Sequence, residues 1–539
     1  MNAWLVALGP HLLVAPILLP MFTAAVLLLL DERQTALKAW LSVTSALLGL
    51  LASSALALRV ARFGIEAYLP SNWPPPFGIV LVADRLSVLM LVLVGVLATA
   101  ALLFASARWD RAGVHFHSLA QLQVMGLCGA FLTGDLFNLF VFFEILLAAS
   151  FGLLLHGSGG PRVRAGMRYV AVNLAASSLF LIGAATLYGV TGTLTLADLA
   201  ERARDVSAAD HWLIDVGGAV LGLAFLVKAA AFPLNFWLVP AYSTATAPVA
   251  AIFAVLTKVG LYALLRVWTL LSAEGSAPFA GNAWLLTAGV VSASLGALGM
   301  LGAQRLAVLA SFGVVVSSGT LLAVVGLGHW EATGGALFYL LGSTLAFSAL
   351  FLLTDVIERW RNQGATRADD APFLSASFAE EAELNLDDEG EWVVGRPFAA
   401  STALLGLAFI TCALVVVGLP PMPGFVGKVA MISAALDFSP SVSPAAWAVV
   451  VVLLGTGLVS LFAMLNAGLR YFWLPRSRPG ARVRLSEGLP LGLLLACTLT
   501  LTVGAGPLLD FTREAARALY SPRAYVDAVL GAKVKGGPP

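Results

Sequence analysis

The sequence predicts an all-α integral membrane protein of about fourteen transmembrane helices, and three observations carry that prediction. The chain has 539 residues, 59% of them hydrophobic and only 11% charged, whereas a soluble domain carries roughly 25% charged residues. That deficit leaves too little polar surface to face water. Apolar runs of about 18 residues or more recur along the whole length, as membrane-spanning helices require. These runs are continuously apolar and lack the ten-residue alternation of a membrane β-barrel, so helices are indicated.

In chain order the spans fall at 11–30, 40–61, 86–107, 117–134, 136–156, 169–190 and 212–232, then 247–271, 283–303, 306–326, 334–357, 399–435, 445–469 and 487–509. The opening stretch "MNAWLVALGPHLLVAPILLPMFTAAVLLLLDER" has no basic region and no A-x-A site before its charges. It is read as a retained helix and not a cleaved signal peptide. Lys and Arg then collect at the exits of odd-numbered spans: Arg33 and Lys38, Arg108 and Arg111, Arg162 to Arg168, Arg359 to Arg367, and Arg470 to Arg484. By the positive-inside rule that face is cytoplasmic and both termini lie outside. Arg202 and Arg204 go the other way, in a longer loop where the bias is weaker.

Residues 361–398 hold nine acids between Asp369 and Glu391 and read as a solvated cytoplasmic loop without the EF-hand spacing of a calcium site. The tail "FTREAARALYSPRAYVDAVLGAKVKGGPP" reads either as an interfacial helix or as an ordered end packed on a neighbour. Cys128, Cys412 and Cys497 all sit in apolar runs, which suggests packing and neither a disulfide frame nor a metal site. Lys+Arg 31 against Asp+Glu 30 leaves no basic patch for nucleic acid. No Walker loop, dinucleotide fingerprint or metal-ligand cluster is present, so no cofactor is expected.

Four charges sit at bilayer depth. In "FNLFVFFEILLAASFGLLL", Glu144 lies nine residues past Asp135, about 13 Å into the helix. An ionised group there costs about 2.5–3.5 kcal/mol on insertion scales, so it must be protonated, paired or wet. The seventh span, "GAVLGLAFLVKAAAFPLNFWLVPAY", carries Lys228 five residues before Pro233, and a proline inside a helix frees a carbonyl that protein or water must satisfy. Glu144 and Lys228 are therefore candidates for a switchable ion pair. In the eighth span Lys258 is followed by Tyr262 and Arg266 at i+4 and i+8, close to one face. Arg266, near the end, is expected to snorkel to the interface. The twelfth span, "ALVVVGLPPMPGFVGKVAMISAAL", is broken by Gly418, Pro420, Pro421, Pro423 and Gly424. Lys428 is expected in the first turn of its second half, where dipole and burial both disfavour the ammonium. The bland reading is that each lysine tethers a backbone carbonyl. Ser317, Ser318, Ser343, Thr344 and Thr411 offer hydroxyls between the charged stations, although such hydroxyls usually bond their own backbone. Breaks at matching places in two halves point to a transport pathway. The expected division is 1–116 (first three helices), 117–271 and 283–470 (two repeats of five helices), and 471–539 (last helix and tail).

The segments "FFEILLAASFGLLLHG", "LVKAAAFPLNFWLVPAYSTATAP", "TKVGLYALLRVW" and "GLPPMPGFVGK" resemble the antiporter-like superfamily, which includes membrane subunits of respiratory complex I and large subunits of Mrp-type cation/proton antiporters. Most of the chain takes part, and "LLTDVIERWRNQG" with a lysine after "GFVG" is similar to the D type of Mrp antiporter subunit. The resemblance implies two inverted five-helix repeats with helices 7 and 12 broken. It also implies a proton path through Glu144, Lys228, Lys258 and Lys428. The implied activity is proton translocation within a multisubunit exchanger of Na+ or another monovalent cation, in a bacterial inner membrane, with A, B, C, E, F and G type subunits as partners. The alternatives are an M- or N-like subunit of an NADH-quinone oxidoreductase or hydrogenase complex, or an assembly scaffold without transport. One departure stands out: where relatives carry "HxxxxK" in helix eleven, this chain has Gly342 and Phe347, and its tenth span holds no counterpart of Glu144.

Overall fold

Helices dominate because nothing else satisfies a backbone in lipid. The computed structural model describes residues 9–31, 33–272, 282–369, 400–437, 442–473 and 481–532. Twelve helices among them are long and apolar enough to cross a membrane, and the shorter Ala15–Leu29 and Phe116–Leu132 bring the spans to fourteen. The predicted order holds throughout. Span 6 starts early, at Gly160 with Pro161 in its first turn, so Arg162, Arg164 and Arg168 ride on the helix and not on a loop. The strands are a small antiparallel pair, Glu66–Tyr68 with Leu81–Ala83, in the connection from span 2 to span 3.

Long-range polar contacts sort the helix ends into two faces. At one face Arg108 reaches Asp355 at 2.5 Å, Arg162 reaches the Thr244 carbonyl at 2.8 Å, and Arg470 reaches that of Gln304 at 2.6 Å. These residues lie after spans 3, 5, 7, 9 and 13 and at the end of span 11, the ends assigned to the cytoplasm. At the opposite face Arg266 meets Asp84 at 2.6 Å, Arg85 meets Glu514 at 2.7 Å, and Thr333 meets Tyr520 at 3.1 Å.

Of the two readings of the tail, packing against a neighbouring element is the one realised. Helices Ala505–Tyr520 and Arg523–Leu530 bury Ala515, Leu519, Tyr525 and Val529 against the outer ends of the bundle. Span 14 accordingly ends at Val503, before the expected 509. Cys128 and Cys412 are buried and Cys497 half-buried, all with free thiols. Residues 370–399, most of the acidic loop, lie outside the described residues.

Spans 7 and 12 are interrupted as expected. Span 7 is helical over His211–Lys228 and again over Leu238–Thr244, and span 12 over Ala400–Val417 and Pro423–Leu436. The first break begins at Ala229, well before Pro233, and turns through Ala230 at φ 53°. Its freed backbone groups find partners: Trp237 Nε1 donates to Val227 O at 3.1 Å, and the Phe232 amide donates to Ser292 Oγ at 2.8 Å. Gly260 lets span 8 come against this break, since a Cβ there would lie 2.6 Å from the Ala229 nitrogen. Span 8 is also interrupted, between Ala247–Phe253 and Leu256–Leu271, which the sequence did not suggest.

Candidate functional site

The three predicted lysines lie at or beside these breaks, and Glu144 lies midway along unbroken span 5. Lys228 is the last residue of its half-helix, in the turn where a cation is favoured by the helix dipole. Lys258 is the third residue of the half-helix that starts at Leu256. Lys428 is the sixth residue of the half-helix that starts at Pro423, not in its first turn. Its Nζ turns back to donate to Val417 O at 2.7 Å, at the C-terminal end of the preceding half. The expected clash with a positive helix end is therefore corrected: Lys428 faces a negative one, in the geometry of a carbonyl tether.

Glu144 is half-buried and accepts a hydrogen bond from the Ser177 hydroxyl of span 6. Lys228 Nζ lies 4.9 Å from the centroid of the Phe143 ring, a cation–π arrangement. The two groups are within electrostatic reach of each other, but each takes a different direct partner. Beside Lys228 is a cavity of about 30 Å³ lined by Tyr169, Asn173 and Trp237 among others, large enough for a water or two. Tyr169 Oη is 2.7 Å from Ser150 Oγ, extending the polar surface into span 5.

Lys258 is 1% exposed. It donates to Ser317 Oγ at 3.0 Å and Ser318 Oγ at 3.1 Å, and Ser317 is bonded to Ser343 Oγ at 3.0 Å. An ammonium of the first proposed repeat is thus joined to spans 10 and 11 of the second. The other two hydroxyls follow the bland reading, since Thr344 bonds Leu340 O at 2.7 Å and Thr411 bonds Leu407 O at 2.9 Å.

Arg266 does not snorkel. It is buried, pairs with Asp84 at 2.6 Å, and lies over the Tyr525 ring at 4.9 Å. Tyr262 donates to Phe131 O at 2.6 Å. The signal that was available is Asp84 itself, which caps span 3 in a reciprocal box with Ser87 and so must sit close to the helix bundle. Sequence reasoning also missed the ion pairs that bind Arg108 and Arg359 to Asp355, and Arg359 to buried Glu487 at 2.6 Å. These border a vestibule of about 420 Å³ on the cytoplasm-assigned face, whose lining includes Trp109, Arg162, Tyr242, Thr246, Asp355 and Glu358.

In the second half, Phe347 is buried and fills the space above Gly313, where a Cβ would meet its ring at 2.2 Å. Gly342 lies against Pro423, at 3.2 Å from its own ideal Cβ. Among the described residues no group of three or more His, Cys, Asp and Glu is placed to hold a metal ion.

Fourteen spans with broken helices that carry ionisable groups inward define a class: multi-pass membrane proteins with polar interiors of the kind that pass ions. Residues 133–456, more than half of the chain, match the family described as NADH:quinone oxidoreductase/Mrp antiporter, transmembrane, and the chain belongs to that family. It is 46% identical over 549 residues to the D subunit of the probable K(+)/H(+) antiporter of Rhizobium meliloti (strain 1021), covering 99% of this chain and 100% of that one. It is 31% identical over 526 residues to the D subunit of the Na(+)/H(+) antiporter of Alkalihalophilus pseudofirmus, covering 96% and 99%. Its fold matches a chain in the structure of the Mrp complex from Dietzia sp. DQ12-45-1b with a TM-score of 0.82 and 27% identity, covering 96% and 99%.

Proposed function

We propose that this chain is the proton-translocating, D-type subunit of a multisubunit monovalent cation/proton antiporter in a bacterial inner membrane. It moves protons and is itself no enzyme, and its partners are the remaining Mrp-type subunits. The observation that carries the reading is Lys228 and Lys258 at helix breaks, with Glu144 within electrostatic reach of Lys228, and the hydroxyls of Ser317 and Ser343 continuing from Lys258 toward the second half. Lysines and a carboxylate in poorly solvated places take and release protons with small changes of surroundings. Residues 117–271 and 283–470 are the two working units, with Lys258 at their junction and Lys428 serving the second. Full-length similarity to proteins named as D subunits of antiporters favours exchange over redox-driven pumping. The same names divide between K+ and Na+, so both cations belong in the test.

The test is cation-dependent proton movement in everted vesicles, comparing the complete set of subunit genes with the set lacking this chain, in Na+, K+ and Li+. Loss of exchange in the incomplete set is expected. Exchange that persists without this chain would overturn the reading.

A further inference from the structure

At the cytoplasm-assigned ends of spans 2 to 5, a buried titratable pair has no part in the row described above. After span 3 the chain makes a short 3-10 turn, Trp109–Arg111, and span 4 begins at Phe116. The turn points Asp110 inward, and the start of span 4 brings His117 opposite it. His117 Nε2 lies 3.7 Å from Asp110 Oδ2, and both side chains are 4% exposed. Neither ring nitrogen of His117 has a hydrogen-bond partner, nor has Asp110 Oδ1. Leaving such groups unbonded costs about 1–3 kcal/mol each. A pair retained only for stability would have closed the gap. At 3.7 Å it is too long for a hydrogen bond and short enough for strong attraction once the imidazole is charged.

The other charged and titratable groups near the pair are few. Lys38 comes from span 2, Arg108 and Arg111 flank the turn, and His115 precedes span 4. Asp31 and Arg33 lie between spans 1 and 2. His156 closes span 5, and Arg162 opens span 6. Burial holds His156 below its ordinary range, and its Nε2 donates to Trp109 O at 2.8 Å. Arg108 is committed to Asp355, and Arg162 to the Thr244 and His156 carbonyls.

The turn is wired to the vestibule. Trp109, next to Asp110, lines it, and the guanidinium carbons of Arg108 and Arg162 lie 4.8 and 5.9 Å from its ring centroid. Residues 111–115, exposed above the pair, lead to cytoplasm-side water.

We propose that Asp110 and His117 form a protonation site loaded from the cytoplasmic side, whose charge sets the position of the 109–111 turn at the vestibule mouth. A proton from water adds to His117 Nε2, and the N–H so formed donates to Asp110, closing the gap by about 1 Å. Returning the proton to water reopens it. The link to transport rests on the exchange reading above, but the site itself can be tested without it.

The whole complex is studied in everted vesicles with a cysteine at Ser158, an exposed vestibule residue, and, as reference, at exposed Gln34. An impermeant maleimide labels each from about pH 5.5 to 8.5, with background taken from the chain lacking an added cysteine. The Ser158-to-Gln34 labelling ratio is expected to change at least threefold across the range where an imidazole titrates. His117→Gln abolishes that change, and Asp110→Asn diminishes it, because the turn then lacks the carboxylate that a charged ring would draw in. The ratio does not depend on how much complex assembles, so a poorly expressed variant still reports. A ratio that stays flat in the wild type, or that neither substitution alters, overturns the proposal. Exchange measured in the same vesicles judges the transport reading separately: its absence there sinks that reading while the labelling still decides this one.

Discussion

Ser317 is where the proposed path crosses from one half to the other, and removing its hydroxyl gives a graded test. Lys258 donates to Ser317 and Ser318, and Ser317 alone continues to Ser343. A hydrogen bond to a charged group contributes about 1.5–3 kcal/mol, a neutral one about 1 kcal/mol. Each 1.36 kcal/mol in a barrier is about tenfold in rate. If proton passage through this point limits exchange, Ser317→Ala slows it by about tenfold to a hundredfold. Ser318→Ala, which leaves the link to Ser343 intact, has a smaller effect. Ser343→Ala removes, besides its bond to Leu340 O, the one neutral link to Ser317, about fivefold. Ser311→Ala is the control, because Ser311 is equally buried in the same span but bonds only Ala307 O at 2.7 Å. The assay is the initial rate of cation-driven proton movement in everted vesicles, divided by the amount of assembled complex. A Ser317→Ala rate within twofold of wild type, with Ser311→Ala equal to it, would refute the crossing at this residue.

Three further outcomes are expected. Glu144→Ala and Lys228→Ala each abolish exchange while the complex still assembles, as gel analysis of the solubilised complex checks; normal exchange at normal expression removes that residue from the path. Lys428→Ala lowers exchange less than Lys228→Ala does in the same vesicles, and full retention would leave Lys428 as a tether on Val417. Asp84→Asn strands Arg266 as an unpaired buried charge and lowers the stability of the purified complex by about 3–5 kcal/mol, whereas Asp84→Leu with Arg266→Met together regain most of it in thermal unfolding.

The spans were legible because lipid imposes length and apolarity on every one of them. Breaks in spans 7 and 12 were legible through Pro233 and the Gly418–Gly424 stretch, residues that cannot continue a helix. The break before Lys258 was hidden, since Ala254 and Val255 carry no such mark. Periodicity gave the face shared by Lys258, Tyr262 and Arg266 but not what stands across it. Asp84 is 182 residues from Arg266, and no local pattern encodes a pairing at that distance. Lys428 was misplaced for a related reason: the sequence located the second half-helix but not the side chain's return to the first. The meeting of Asp110 and His117 was hidden too, since nothing in a short connection between two spans marks which of its polar side chains is buried.

The two halves carry the same lysine-at-a-break device in unlike surroundings, and the difference limits how the second half could act. In the first half Lys228 adjoins a cavity whose mostly apolar walls include Tyr169 and Asn173, and has a carboxylate within electrostatic reach. In the second, Lys428 donates to a backbone carbonyl, and the Phe347 ring occupies space that a polar side chain would need. Ser343 turns to its own backbone at Leu340 O, 3.2 Å away, while Ser317 also bonds the Tyr339 hydroxyl, which in turn bonds Thr320. Val417 holds one of the three ammonium protons of Lys428, and for the group to reach beyond this carbonyl its stem must swing. The stem lies on Gly418, where a Cβ would be 2.7 Å from Lys428 Cδ and the backbone holds φ at 83°. Gly418 suits such a movement twice over: it leaves room for the stem, and it tolerates a left-handed backbone that a side chain would resist. On the proposed path, a swing of Lys428 away from Val417 involves rearrangement at the span 12 break, whereas the polar row of the first half is already formed.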